Sequence, residues 1–231
     1  GHIVVVPLFP QYSSAATGSA VEKALEVIGR LTNLPTVATV GPFYDAPGFV
    51  EAVAVVARPV LDEFRPDHVL FSYHGLPEQQ IRDADRTGSW CLADVACCSR
   101  IVGPSQSCYR AQCFATTRAL APRLGLSGSS FDTAFQSRLA SQKWIEPYTD
   151  HLVVDLRARG VTRLAVLTPS FTADCLETLE EIGIRLREQW LHLGGEELAL
   201  VPCVNTHPVW IGAVADMVRD ARGGGIQGGV G

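Results

Sequence analysis

Long apolar runs are missing from this sequence, and so is any excess of positive charge. No stretch of its 231 residues approaches the ~18–20 apolar residues that cross a bilayer. The best candidate, Phe49 to Phe64, is interrupted by Glu51, Arg58, Pro59, Asp62 and Glu63. A formal net charge of −5 offers no basic footprint for nucleic acid or for an anionic membrane surface. Nothing at the N-terminus reads as a signal peptide. Gly1 leads straight into the strand-like His2-Ile3-Val4-Val5-Val6, and because domains rarely open there the expectation is an N-terminally truncated chain. No internal repeat is visible beyond an alternation of strand-like and helix-like segments. What is present is ordinary for a globular protein: 47% hydrophobic and 19% charged residues, which argues against disorder and allows one large or two small domains.

Short β-branched runs at Ile3–Leu8, Thr36–Val40, His68–Tyr73, Ser130–Phe135, Arg163–Thr168 and Ala199–Val204 read as strands. Between them Ser14–Leu31, Phe49–Phe64, Tyr109–Leu124, Thr149–Arg159, Asp174–Leu193 and Pro208–Arg219 read as helices. This βαβα rhythm predicts an α/β protein with parallel sheets covered by helices on both faces. The Arg65-Pro66-Asp67 turn is a natural boundary between two such units, and the tail Gly223–Gly231 is expected to be frayed. Residues from about Arg86 to Ser107 break the rhythm, and a loop of that length inside a domain is usually functional.

Four places could carry chemistry. His74 ends a predicted strand before the turn Gly75-Leu76-Pro77, at the carboxyl edge where open α/β sheets bind ligands; an imidazole there can hold a metal or take a proton, or simply cap the strand. Glu177 and Glu181 stand four residues apart, so on one helix both carboxylates would share a face. The competing expectation is a capping box, with Asp174 as N-cap and Glu177 as its N3 partner. Lys143-Trp144-Ile145-Glu146-Pro147-Tyr148 could line an apolar pocket with cationic rims, or Trp144 could fill core while Thr149 or Asp150 caps a helix. Finally, five of the seven cysteines, Cys91, Cys97, Cys98, Cys108 and Cys113, fall within 23 residues. Their spacing lacks the paired short intervals of zinc modules, and one interval is like that of plant-type iron–sulfur ferredoxins. An iron–sulfur centre, zinc, or packing remain open on spacing alone. If both Cys108 and Cys113 were ligands, a helix would have to begin after Cys108. Cys175 and Cys203 read as packing residues.

Four segments together resemble the ferrochelatase family. Val6-Pro7-Leu8-Phe9-Pro10-Gln11-Tyr12-Ser13-Ser14 is similar to its early strand–loop signature. Phe71-Ser72-Tyr73-His74-Gly75-Leu76-Pro77 resembles the segment bearing its metal-site histidine. Phe135-Gln136-Ser137-Arg138 with Lys143 to Thr149, and Asp174 to Glu181, resemble two further family motifs, the last carrying an active-site glutamate. The resemblance implies two Rossmann-like domains with a porphyrin cleft between them: residues 1–66, residues 67–205 with a cysteine-rich insertion at about 86–113, and a C-terminal helix in 206–231 returning to the first domain. It implies insertion of Fe(II) into a porphyrin, protoporphyrin IX first, as the last step of haem biosynthesis. His74 and Glu177 are then assigned to the iron site, Glu181 to an acidic path, and Trp144 and Tyr73 to substrate binding. Some bacterial members hold a 2Fe–2S cluster on such an insertion, which implies Cys91, Cys98, Cys108 and Cys113 as ligands, with Cys97 as the substitute.

Where some relatives have a second histidine this chain has Cys175, so a two-histidine site is not expected. The family's opening strand and porphyrin loops are also missing, so the fragment alone is expected to bind porphyrin poorly and could be inactive. The implied partners are porphyrin and ferrous iron, with no nucleic acid, a cytoplasmic location and room for peripheral membrane association. Two other readings stand beside this one: a chelatase for another metal and tetrapyrrole, and a non-catalytic iron–sulfur or zinc redox-sensing module.

Overall fold

The structure, a computed structural model, describes residues 1–94, 96–139 and 142–223. The glycine-rich tail from 224 onward lies outside them. Strands β1 (His2–Val5) and β2 (Thr36–Thr39) pair in parallel, with Ile3 opposite Val37. A second parallel sheet contains β3 (His68–His74), β4 (Phe131–Gln136), β5 (Arg163–Leu167) and β6 (Glu197–Leu200), in the order β4-β3-β5-β6. The helices are α1 (Ser19–Ile28), α2 (Pro47–Phe64), α3 (Glu78–Asp83), α4 (Tyr109–Arg123), α5 (Thr149–Ala158), α6 (Leu176–Leu179), α7 (Arg187–His192) and α8 (Pro208–Gly223). This is the expected α/β class, with parallel sheets flanked by helices.

Strand β3 is central and buried on both faces, as parallel sheets require. Val69, Phe71 and Tyr73 point into a core shared with Phe49 of α2, Leu120 of α4 and Trp210 of α8. Leu70, on the alternate face, packs with Val153 and Leu156 of α5, Ile182, and Trp190 of α7. Helix α8 returns to α2, β1 and β2. Its approach is close: a Cβ on Gly48 would come within 2.8 Å of the Ala213 Cβ.

Several elements differ from the sequence reading. The single helix expected over Asp174–Leu193 is α6, then a wide π-wound stretch at Glu181–Leu186, then α7. The helix expected over Ser14–Leu31 likewise opens with a π-wound turn, Ser14–Gly18, and stops at Ile28. A hydrophobic period cannot separate π from α winding over one turn. Strand β6 begins two residues before the expected Ala199 and ends at Leu200, short of Pro202, whose nitrogen can donate nothing to a ladder. Helix α3 was not anticipated. Among the described residues no helix is long and apolar enough to cross a membrane.

Candidate functional site

The carboxyl edge of the second sheet carries the site. His74 is the last residue of β3, and its main chain is gripped from two sides: its amide donates to Ser170 Oγ at 3.0 Å, and its carbonyl accepts from Tyr109 Oη at 2.8 Å. Its ring Nδ1 lies 2.6 Å from the Gly75 carbonyl oxygen. A carbonyl can only accept, so Nδ1 carries a proton, and in the neutral ring Nε2 is the nitrogen with the free lone pair. Gly75 makes the turn possible, because a Cβ there would meet the Gln136 carbonyl oxygen at 2.8 Å. The His74 ring stands 6.2 Å from Phe171 and 6.3 Å from Trp144. With Phe9, Ala16, Ser170, Phe171 and Tyr109 it lines a largely apolar cavity of about 280 Å³. A second cavity of about 210 Å³ adjoins it across Leu76 and Tyr109.

The opposite wall comes from the loop after β1. Gln11 Nε2 donates to Thr116 Oγ1 at 2.9 Å, the Tyr12 amide donates to Gln112 Oε1 at 2.6 Å, and Thr172 Oγ1 donates to the Leu8 carbonyl at 3.2 Å. These bonds stitch the loop to α4 and to the segment after β5.

The capping box expected at Asp174 and Glu177 does not form. Helix α6 starts at Leu176 with Cys175 as its cap, and the Cys175 amide donates to Thr178 Oγ1 at 3.0 Å. Asp174 turns away and accepts from the Cys203 amide at 3.0 Å and from Asn205 Nδ2 at 2.7 Å. Glu177 is thereby released from capping. Its carboxyl is lowered from the ordinary value by the Cys175 thiol and its own amide, with nearby His74 adding to the effect.

The Glu181 carboxylate is engaged at the tip of β4. Its Oε1 accepts from the Ser137 amide at 2.7 Å, and its Oε2 from Ser137 Oγ at 2.5 Å and Gln136 Nε2 at 3.1 Å. With Arg138 and Gln189 it lines a cavity of about 340 Å³ and mixed polar and apolar character, which has no lining residue in common with the His74 cavity.

Trp144 is buried beneath the His74–Gly75 turn, within 3.1 Å of where a Gly75 Cβ would stand. Tyr148, and not Thr149 or Asp150, precedes the first residue of α5 as its cap. Tyr73 is placed elsewhere than expected for a substrate-binding residue. It is fully buried with its hydroxyl 2.9 Å from Thr117 Oγ1, because strand alternation puts it on the face covered by α4. Tyr109 takes the position facing the cavity. Sequence reasoning missed it, along with Ser170 and Phe171.

Cys91, Cys97, Cys98, Cys108 and Cys113 are all buried in one core cluster, and none is in a disulfide. The Cys97 and Cys98 sulfurs lie 3.6 Å apart. Arg110 Nη1 donates to Cys98 Sγ at 3.2 Å. Contact with the Cys108 thiol, then burial, pushes the Cys98 thiol far above its ordinary range. Burial raises Cys91, although Cys108 lies within hydrogen-bonding contact of it. Cys108 caps α4, which begins at Tyr109, so Cys108 stands outside the helix that carries Cys113. Asp85 organises the entrance to the segment, accepting from the amides of Thr87, Trp90 and Cys91 at 2.9, 2.7 and 2.8 Å. Among the described residues, no group of three or more His, Cys, Asp or Glu is arranged to hold a metal ion.

Two parallel sheets flanked by helices, with a histidine at a strand's carboxyl end, make this an open α/β protein with a ligand-binding edge. Two solved structures share the fold. SirB from Bacillus subtilis with Fe3+ aligns with a TM-score of 0.59 at 15% identity, covering 95% of this chain and 71% of that one. A multi-domain Deinococcus radiodurans protein with structural similarity to chelatases aligns with a TM-score of 0.53 at 17% identity, covering 95% of this chain and 40% of that one. The family model described as Ferrochelatase matches residues 1–222, and the chain belongs to the ferrochelatase family. It is 47% identical over 222 residues to a ferrochelatase of Legionella pneumophila (strain Lens), covering 94% of this chain and 64% of that relative. It is 43% identical over 217 residues to a ferrochelatase of Coxiella burnetii (strain Dugway 5J108-111), covering 94% of this chain and 60% of that relative. The chain thus spans under two thirds of the length of these relatives.

Proposed function

We propose that this chain carries the metal site of an enzyme that inserts ferrous iron into a porphyrin, protoporphyrin IX, in haem biosynthesis in the cytoplasm. The observation that carries the reading is the His74 ring: its Nδ1 is committed to the Gly75 carbonyl at 2.6 Å and its imidazole lines an apolar cavity. Family membership supports the same conclusion. Insertion requires two pyrrole N–H protons to leave as the metal enters. Nε2 of His74 is the lone pair available to accept a proton or to present iron. Glu177, kept anionic and no longer capping a helix, supplies negative charge near the entering dication. The largely apolar lining of the cavity would strengthen the charge interactions at His74. Glu181 is the next carboxylate along the proposed acidic path, and Trp144 supports the macrocycle from beneath the His74 turn. Residues 1–66 and 67–205 serve as the two halves of the cleft, with the C-terminal helix returning to the first.

The cysteine segment is the proposed home of a 2Fe–2S cluster. Its donor set fits such a group: soft thiols, out of water, with a guanidinium beside one of them to offset thiolate charge. A 2Fe–2S centre would be held by four thiolates, a number this segment can supply. The proposed ligands are Cys91, Cys98, Cys108 and Cys113, with Cys97, whose sulfur lies 3.6 Å from that of Cys98, as the substitute. Cys113 is wholly buried, and burial pushes its thiol well above the ordinary range. When bound, the cluster would supply one-electron redox capacity and a covalent staple for the segment.

The deciding experiment is iron insertion by the full-length protein, offered protoporphyrin and coproporphyrin in turn. Insertion into protoporphyrin that His74→Ala abolishes is expected. Turnover of neither porphyrin by the wild type would refute the reading. For the cluster, anaerobic purification should give a visible absorption spectrum with iron and sulfide; stoichiometric zinc without sulfide would rule it out.

A further inference from the structure

Three consecutive residues at the start of α4 touch the cysteine segment and both loops of the site. Cys108 caps the helix. Tyr109 donates its hydroxyl to the His74 carbonyl at 2.8 Å. Arg110 reaches Cys98 Sγ through Nη1 at 3.2 Å, while its Nε and Nη2 donate to the Glu146 carbonyl at 3.1 and 3.0 Å. Glu146 belongs to the loop that carries Trp144. The guanidinium also lies 4.8 Å over the Phe114 ring, which fixes its direction.

The consequence for His74 is geometric. The peptide plane joining His74 to Gly75 is held by two bonds: Tyr109 on its carbonyl, and the Gln136 carbonyl, 2.8 Å from the Gly75 amide, on its N–H. The next carbonyl, that of Gly75, is the one that fixes the imidazole. Rotation of that plane would therefore swing the ring and its Nε2. Because Tyr109 follows Cys108 directly, any shift of the cap is passed to the phenol across one trans peptide.

We infer that Tyr109 and Arg110 are positioning residues through which the cysteine-bearing segment sets the placement of His74 and of the Trp144 loop. The inference rests on the reading of the His74 cavity as the insertion site. Small displacements of a reacting group are costly, with about 1 Å worth on the order of a hundredfold in rate. A phenol that acts only by holding a carbonyl should therefore show in turnover more than in substrate binding.

The test uses the full-length protein. Tyr109→Phe keeps the ring and removes only the bond; kcat is expected to fall about tenfold with the porphyrin KM unchanged within about twofold. Arg110→Gln should do the reverse, raising the porphyrin KM severalfold with little change in kcat. An unchanged kcat in Tyr109→Phe, or a loss confined to KM, would overturn the assignment of Tyr109; an unchanged KM in Arg110→Gln would overturn that of Arg110. A second arm needs no turnover. With ¹⁵N-labelled histidine, the His74 ring signals should shift in Tyr109→Phe and also in Cys108→Ser, which leaves both positioning side chains in place. Unshifted His74 signals in both variants would overturn the inference. An inactive wild type with shifted signals would sink the chelatase reading while supporting the positioning roles.

Discussion

At the tip of β4, Ser137 holds Glu181 by two bonds, its amide to Oε1 at 2.7 Å and its hydroxyl to Oε2 at 2.5 Å. Ser137 adopts a left-handed backbone, φ 63°, to do so, a conformation a non-glycine residue takes only where its surroundings impose it. The pair pins the first residue of the π-wound stretch to the end of β4, the outermost strand of its sheet. The Glu177 carboxyl, one helical turn earlier, is held locally instead, by the Cys175 thiol and its own amide, with His74 adding to the effect.

The two glutamates should therefore respond differently to the same change. Glu181→Gln places an amide group against donors, leaving one of them unmatched, and should cost about 1–3 kcal/mol of unfolding free energy. Glu177→Gln should change stability by no more than about 0.5 kcal/mol yet lower iron insertion by the full-length protein at least tenfold. Denaturant unfolding and insertion kinetics on the two variants check the contrast. Equal stability losses would show that Glu177 is also an anchor.

Asp85 makes the cysteine segment pH-dependent in a defined direction. Hydrogen bonds led by the Cys91 amide hold its carboxyl far below the ordinary aspartate range. A depressed folded-state value contributes stability that is complete above the unfolded pKa of about 3.9 and is lost as pH falls through the folded one. Hydrogen exchange at the amides of Trp90 and Cys91, corrected for intrinsic rates, should be flat from about pH 5 to 8 and should loosen only below about pH 4. Asp85→Asn weakens charge-assisted bonds and should speed exchange at both amides roughly tenfold or more at neutral pH. Protection that already falls near pH 6 would point to another group.

Gly75 should tolerate no side chain. A Cβ would stand 2.8 Å from the Gln136 carbonyl oxygen, which is backbone and cannot swing aside, and 3.1 Å from Trp144 Cε3. Gly75→Ala should thus destabilise the protein by about 1–3 kcal/mol and move the Trp144 loop. A changed tryptophan emission spectrum together with a raised porphyrin KM is the expected pair of readings.

Much of this arrangement was legible in the residues. The near-continuous apolar run from His68 announced a buried parallel strand, and that alone put His74 at a carboxyl edge. The density of five cysteines within 23 residues marked out a segment whose thiols the structure buries together. Other features were not legible, for physical reasons. The Asp174-x-x-Glu177 spacing mimics a capping box, and only the distant Cys203 and Asn205 draw Asp174 out of it. The bond from Tyr109 to His74 joins residues 35 positions apart, and no local pattern encodes it. The placement of Tyr73 was within reach, since period-two alternation sets it on the same face as Val69 and Phe71.

The clamp formed by Asp174 and Asn205 gives the last prediction. Besides accepting from Asn205 Nδ2, Asp174 donates its own amide to Asn205 Oδ1 at 2.9 Å, so each residue both gives and receives. Asn205 is itself left-handed, φ 44°, a conformation asparagine adopts more readily than most residues. The clamp ties the start of α6 to the loop between β6 and α8, and Glu177 is three residues beyond it. Asp174→Ala removes both acceptors and leaves the Cys203 amide without its partner, which should cost about 1–3 kcal/mol. It should also loosen the α6 entry, so iron insertion should fall through Glu177. In a Glu177→Gln background the further loss of insertion on adding Asp174→Ala should shrink to within about twofold, while the stability cost stays the same. Full additivity in both measurements would mean that Asp174 acts on the site by another route.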